Sequence, residues 1–298
     1  MSQIAFLGAI ETGLIFALVA FGVYLSFRIL DFPDLTVDGS FPLGAAVSAV
    51  LIVNGFNPWL ATFAAILAGG LAGVLTAWMN VRLQILNLLA SILTMIALYS
   101  INLRIMGRPN IALLGENTIL TPLEQIDLPY YVTTPLAFFA IAIVVLIALV
   151  YFLKSETGLA MRATGANARM ARAQGISTSA MIILGMALSN GLVALAGALF
   201  AQSQGAADVT MGVGVIVVGL ASVIGGEALI STRTLLLAVI ACLVGAVLYR
   251  LAIALALNAD FIGLQAQDLN LVTAALVAMA IVLPRFKPSM KASGGGAS

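Results

Sequence analysis

Few residues in this chain can do chemistry. Among 298 residues there is no histidine and one cysteine, Cys242. That removes the usual general base, the Ser-His-Asp triad and the commonest zinc ligands. No Gly-Lys-Ser/Thr phosphate loop is present, so the chain is not expected to hydrolyse ATP by itself. It is expected to bind no metal and no cofactor, and to have no catalytic residue. Three groups of charged residues remain. Arg162, Arg169 and Arg172 lie between Gly158 and Gly175 in the polar stretch 154–177. On one helix Arg162 and Arg169 share a face, with Arg172 a turn further on. Two short matches, Asp34-Leu35-Thr36 and Asp208-Val209-Thr210, each precede a glycine-containing turn, with Asp38 following the first. Glu11 stands alone in an apolar run. An acid within such a run is a candidate for meeting a cation.

The elements that must position these residues are apolar helices. Hydrophobic residues make up 62% of the chain and charged residues only 8%, against about 25% charged in soluble domains. Several apolar runs are long enough to cross a bilayer as helices, and the alternation of a barrel is absent. Full spans are expected at Ile4–Leu30, Pro58–Trp78, Leu88–Met106, Leu136–Leu153, Ala180–Ala201, Leu235–Leu255 and Leu269–Leu283. Shorter runs occur at Pro42–Val53 and Val213–Ile224. The fold class is therefore an all-α polytopic membrane protein with about nine crossings, two of them short and broken. No basic segment precedes the first apolar run, so no cleaved signal peptide is expected. Residues 1–288 form one transmembrane domain, and the glycine-rich 289–298 reads as a disordered tail.

Lysine and arginine orient the bundle. With stretch 154–177 in the cytoplasm, Arg28, Arg82, Lys154, Arg162, Arg169, Arg172, Arg233, Arg285, Lys287 and Lys291 are inside, and Arg104, Arg108 and Arg250 are outside. That distribution obeys the positive-inside rule. The short runs then cross in opposite directions. Paired broken segments of opposite orientation are a signature of inverted-repeat transporters, in which half-helix ends face a central path. Asp34, Thr36, Asp38, Asp208, Thr210 and Glu11 are the candidate path residues. An aspartate at either break has two possible roles, capping a short helix or offering charge to a substrate ammonium. Ser189 and Asn190 read as interhelical glue, and Gly69, Gly70 and Gly73 as a face for close helix packing. Gly225-Gly226-Glu227 reads as a helix stop. A net charge of +1 gives no field to recruit nucleic acid.

One stretch carries a resemblance. Gly158-Leu-Ala-Met-Arg162-Ala-Thr-Gly165-Ala-Asn167, with Arg169, then Met170-Ala-Arg172 and Gly175-Ile176, resembles the coupling segment of ABC importer permeases. The similar group is the branched-chain-amino-acid-like permeases, in the branch marked here by Leu35-Thr-Val-Asp-Gly-Ser-Phe41. The resemblance covers nearly the whole chain. It implies an inverted-repeat ABC importer permease fold in the bacterial inner membrane. It also implies a separate cytoplasmic ATPase that holds ATP and Mg, an extracytoplasmic substrate-binding protein meeting 107–132, and a second permease subunit, favoured as a homodimer. The implied cargo is an amino acid or similar small polar metabolite. The alternative is a secondary transporter driven by an ion gradient, with Glu11 and the aspartates as proton or sodium sites.

Overall fold

The structure is a computed structural model that describes residues 3–122, 129–257 and 278. Apart from residue 278, the expected last span, Leu269–Leu283, lies outside the described residues, as does the tail 289–298. Among the described residues six helices are long and apolar enough to cross a membrane. In chain order the helices are α1 (Gln3–Val23), α2 (Val37–Val53), α3 (Pro58–Leu83), α4 (Asn87–Met106), α5 (Tyr130–Lys154), α6 (Glu156–Ala166), α7 (Ala168–Ala173), α8 (Thr178–Gln204), α9 (Val215–Leu229) and α10 (Leu235–Leu257).

The first span is α1 prolonged by a π-helical segment, Tyr24–Ile29. At its start the Ser26 hydroxyl donates to the Gly22 and Val23 carbonyls, a side-chain bond that competes with the regular ladder. The chain then turns at Asp31, in the left-handed region at φ 54°, and runs without helix to Val37. Here the structure departs from the sequence reading, which starts the short helix at Pro42. The helix starts at Val37 and holds Pro42 in its second turn. The proline cannot donate to the Asp38 carbonyl, the partner four residues back. Gly212 packs directly on that carbonyl and on the Pro42 ring.

Helix α8 is the centre of the bundle, packed against α1, α2 and α3. Small residues bring the backbones together. A Cβ on Gly69 or Gly73 of α3 would collide with the α8 backbone at Asn190 or Met186, and one on Gly44 of α2 would collide with Ala194. Close approach of this kind replaces the hydrophobic drive that lipid cannot supply. Helices α9 and α10 meet in the same way, Gly226 on the Ala241 carbonyl and Gly245 on the Ser222 carbonyl. Gly226 is thus a packing residue within α9, which continues to Leu229, and not the helix stop read from the sequence. Phe16, Phe41 and Phe200 form an aromatic cluster joining α1, α2 and α8, with ring centroids 5.6–5.9 Å apart. Arg250, counted from the sequence among the outer charges, lies within α10 with its guanidinium 3.8 Å from the Phe16 ring centroid.

At the end of the bundle away from α6 and α7, β1 (Asn110–Ala112) pairs antiparallel with β2 (Ala206–Asp208). The pairing ties the α4–α5 connection to the α8–α9 connection. Gln202 secures it further, donating to the hydroxyls of Ser48 and Thr62 and accepting from the Ile119 amide.

Candidate functional site

Two places gather the residues singled out by sequence. The first is the segment 154–177. It is two helices, not one. Ser155 caps α6 by accepting from the Gly158 amide. Asn167 leaves helical geometry at φ −159° and caps α7, accepting from the amides of Arg169 and Met170. Arg162 and Arg169 therefore sit on separate helices and do not share a face of one. Gly175, at φ 83°, closes α7. The segment has a buried and an exposed side. Met161 is fully buried, and Gly185 of α8 packs against its sulfur and against Leu30. Gly165 sits on the carbonyl of Ile29, where the first span ends, and Gly158 sits on that of Phe152. Arg162, Asn167, Arg169 and Arg172 are exposed. Beside this end, Arg28 pairs with Glu227 and so joins the first span to α9.

The second place is the middle of the bundle. Asp34 is wholly buried. One oxygen accepts from the Thr36 amide at 2.8 Å and the other from Asn190 Nδ2 at 2.8 Å. Asn190 lies near the midpoint of the 27-residue α8, which puts Asp34 at mid-depth. Asn190 Oδ1 accepts from the Ser40 hydroxyl at 2.7 Å. Thr36, Thr76 and Thr94 continue as a buried hydroxyl ladder, with successive oxygens 2.8 and 2.9 Å apart. The carboxylate of Asp38 reaches across to the other short helix. It accepts from the amides of Ile216 at 2.7 Å and Gly214 at 3.2 Å, at the start of α9. The two short helices thus meet N-terminus to N-terminus, and Asp38 of α2 caps α9. Negative charge suits that end of a helix.

The remaining candidates lie elsewhere. Asp208 is partly exposed at the end of β2, accepting from the amide and hydroxyl of Thr210 and from Asn110. Those bonds hold its carboxyl below the ordinary aspartate range. Glu11, half-buried in α1, accepts from the Ser203 hydroxyl of α8. The structure therefore brings Asp34, Thr36 and Asp38 together and leaves Asp208, Thr210 and Glu11 apart from them. Among the described residues no group of three or more His, Cys, Asp or Glu is placed to hold a metal ion.

With this geometry in view, residues 5–283 match the family model described as branched-chain amino acid transport system / permease component. The chain belongs to that family. It is a multi-pass protein of the inner membrane. It is 38% identical over 282 residues to a tyrosine transport system permease protein of Clostridioides difficile, covering 93% of this chain and 90% of that one. A second relative is the galactofuranose transporter permease protein YtfT of Escherichia coli, 29% identical over 222 residues, 71% of this chain and 61% of that one. Among solved structures, PsaBC from Streptococcus pneumoniae in complex with Fab matches with a TM-score of 0.52 and 14% identity. That match covers 92% of this chain and 89% of the other, and it bears on the fold alone.

For this permease the sequence reading missed part of the buried polar network. Thr76, Thr94 and Asn102 are each buried. Their signal was available, since all three are polar residues inside otherwise apolar runs. What one-dimensional reading lacks is the partner. Ser189, read as glue, donates to the Gly22 carbonyl of α1 at 2.7 Å. Asn190, read the same way, holds the one wholly buried carboxylate among the described residues.

Proposed function

We propose that this permease subunit carries an amino acid or a similar small polar metabolite inward, driven by a separate cytoplasmic ATPase that binds ATP and Mg. A second copy of the permease and an extracytoplasmic substrate-binding protein complete the transporter. The observation that carries the reading is the two-sided build of 154–177. Its underside is fixed to the bundle through Met161, Gly158 and Gly165, while Arg162, Arg169 and Arg172 are exposed, Arg172 with one donor to the Thr178 hydroxyl at 3.5 Å. A surface of that kind suits a soluble partner. Gly158, Gly165, Asn167 and Gly175 set its shape.

Transmission follows from the contacts. A push on α6 meets the Ile29 carbonyl with no side chain between to absorb it. The first span passes the displacement to the short connector ending at Thr36. Asp34 ties that connector to Asn190 of α8, and Asp38 ties α2 to α9. Movement of the first span therefore repositions both short helices against the central path, as alternating access requires. Glu11, Asp208 and Thr210 belong to the outer part of that path.

The test is uptake of radiolabelled amino acids into proteoliposomes containing the permease, its ATPase and its binding protein. Uptake that needs ATP on the ATPase side supports the reading. One observation favours a second reading, a buried Asp34 with no cationic partner among the described residues. An ion-gradient transporter would use such a carboxylate. Uptake driven by a proton or sodium gradient without ATPase would select it.

A further inference from the structure

Among the described residues one ion pair is present, Arg28 with Glu227. Arg28 lies in the π-helical segment that ends the first span, and Glu227 lies in the last turn of α9. Helix α9 is therefore tied at both ends through a carboxylate. At its start the amides of Gly214 and Ile216 donate to Asp38 of α2, and near its end Glu227 meets Arg28. Between these points Gly219 packs on Val19 and Val23 of α1. The ion pair sits at a water boundary. The Arg28 side chain is 51% exposed and that of Glu227 18% exposed, so the contact can open without leaving a charge in the apolar interior.

The same turn of the first span meets the partner-facing segment. Gly165 of α6 rests on the carbonyl of Ile29, the residue after Arg28. A π-helical turn bonds each amide five residues back where an α-helical turn bonds four, and single π turns recur at functional sites. Re-forming the segment as α-helix turns its far end by one residue's step, about 100° around the axis. Arg28 is at that far end, so the step carries it off Glu227, and Ile29 moves with it. A push from α6 on the Ile29 carbonyl therefore acts on the ion pair.

We propose that Arg28 and Glu227 form a cytoplasmic latch, which keeps α9 on the first span and opens when α6 displaces the π-helical turn. Opening frees the cytoplasmic end of α9 while Asp38 still caps its start, so the helix swings about its capped end. The central path then widens on the cytoplasmic side. The latch rests on the importer reading above and adds to it the contact that ATPase movement breaks.

The test uses the permease with its ATPase and binding protein in proteoliposomes. Arg28→Gln and Glu227→Gln should each lower amino acid uptake per ATP hydrolysed by about twofold to fivefold, the ratio that corresponds to a partly exposed ion pair. The double variant should be no worse than either single one, since each removes the same contact. The exchanged pair, Arg28→Glu with Glu227→Arg, should recover most of the wild-type ratio. In a second measurement Arg28→Cys and Glu227→Cys are combined and joined by a short bis-thiosulfonate reagent, the native Cys242 being buried. Bridging should stop uptake, leave ATPase co-purification intact and be reversed by a reducing agent. The latch is overturned if the bridged permease transports at the unbridged rate. It is also overturned if both glutamine variants keep the wild-type ratio, or if their losses add in the double variant. Wild-type uptake that needs no ATP rejects the importer reading, and bridging that leaves such uptake unchanged then rejects the latch as well.

Discussion

Gly165→Ala is the most informative single change. A Cβ at this position lands on the Ile29 carbonyl oxygen, 2.8 Å from its carbon and 2.9 Å from the Leu30 Cα. Ordinary carbon contacts lie at about 3.5–4.0 Å. The two backbones must therefore separate by something near an ångström, and neither neighbour is a flexible side-chain end that could swing away. Overpacking of this kind costs about 1–3 kcal/mol. The exposed arginines are not moved, so the partner-facing side stays chemically intact. The purified variant should melt earlier than the wild type and still co-purify the ATPase. Uptake per ATP hydrolysed should fall, because the joint between α6 and the first span is loosened. Arg162→Glu is the contrasting control. Arg162 is exposed, and surface charges contribute little to stability. Its melting point should hold while ATPase co-purification drops. A Gly165→Ala protein with wild-type melting and wild-type uptake per ATP would refute the rigid-joint argument. Co-purification unchanged in Arg162→Glu would refute the docking role.

Three other outcomes are expected. Asp34→Leu strands the Thr36 N–H and one N–H of the Asn190 amide, whose nitrogen keeps its bond to the Met186 carbonyl, and an unsatisfied buried donor costs about 1–3 kcal/mol; thermal melts should show a larger loss than for Asp34→Asn, which keeps an acceptor. The Asp208 carboxyl is held below its ordinary value by its bonds to Thr210, so its stabilising contribution is present above the unfolded aspartate pKa of about 3.9 and is lost as pH falls through the lower folded value. An acid melting series should therefore show that limb in the wild type and lose it in Asp208→Asn. Labelling by an impermeant thiol reagent checks orientation: Glu116→Cys should react in intact cells, and Gln174→Cys only after the membrane is opened, since both positions are exposed and the native Cys242 is buried.

Composition and pattern alone determined that this chain is a helical membrane protein. Apolar runs of bilayer length admit no other structure, because each backbone polar group in lipid must be satisfied within its own segment. The spacing Gly158, Arg162, Gly165, Asn167 and Arg172 marked the family. Gly69, Gly70 and Gly73 announced close packing before their partner was known. The sequence also located two breaks at Asp34 and Asp208, since polar residues flanking short apolar runs stand out locally. Their roles were not local. Asp34 and Asp38 differ by four positions in sequence, yet one is clamped by Asn190 and the other caps α9, 176 and 178 residues further along at Gly214 and Ile216. Asp208 matches Asp34 in its tripeptide and instead closes its own turn at Thr210 on the strand pair. Asn167 split the basic segment in two, a decision of its side chain taking the cap of α7 in place of continuing α6. A carboxylate is an acceptor for whichever N–H the fold brings within about 3 Å. Only the crossing of α2, α8 and α9 at mid-depth selected which N–H that was.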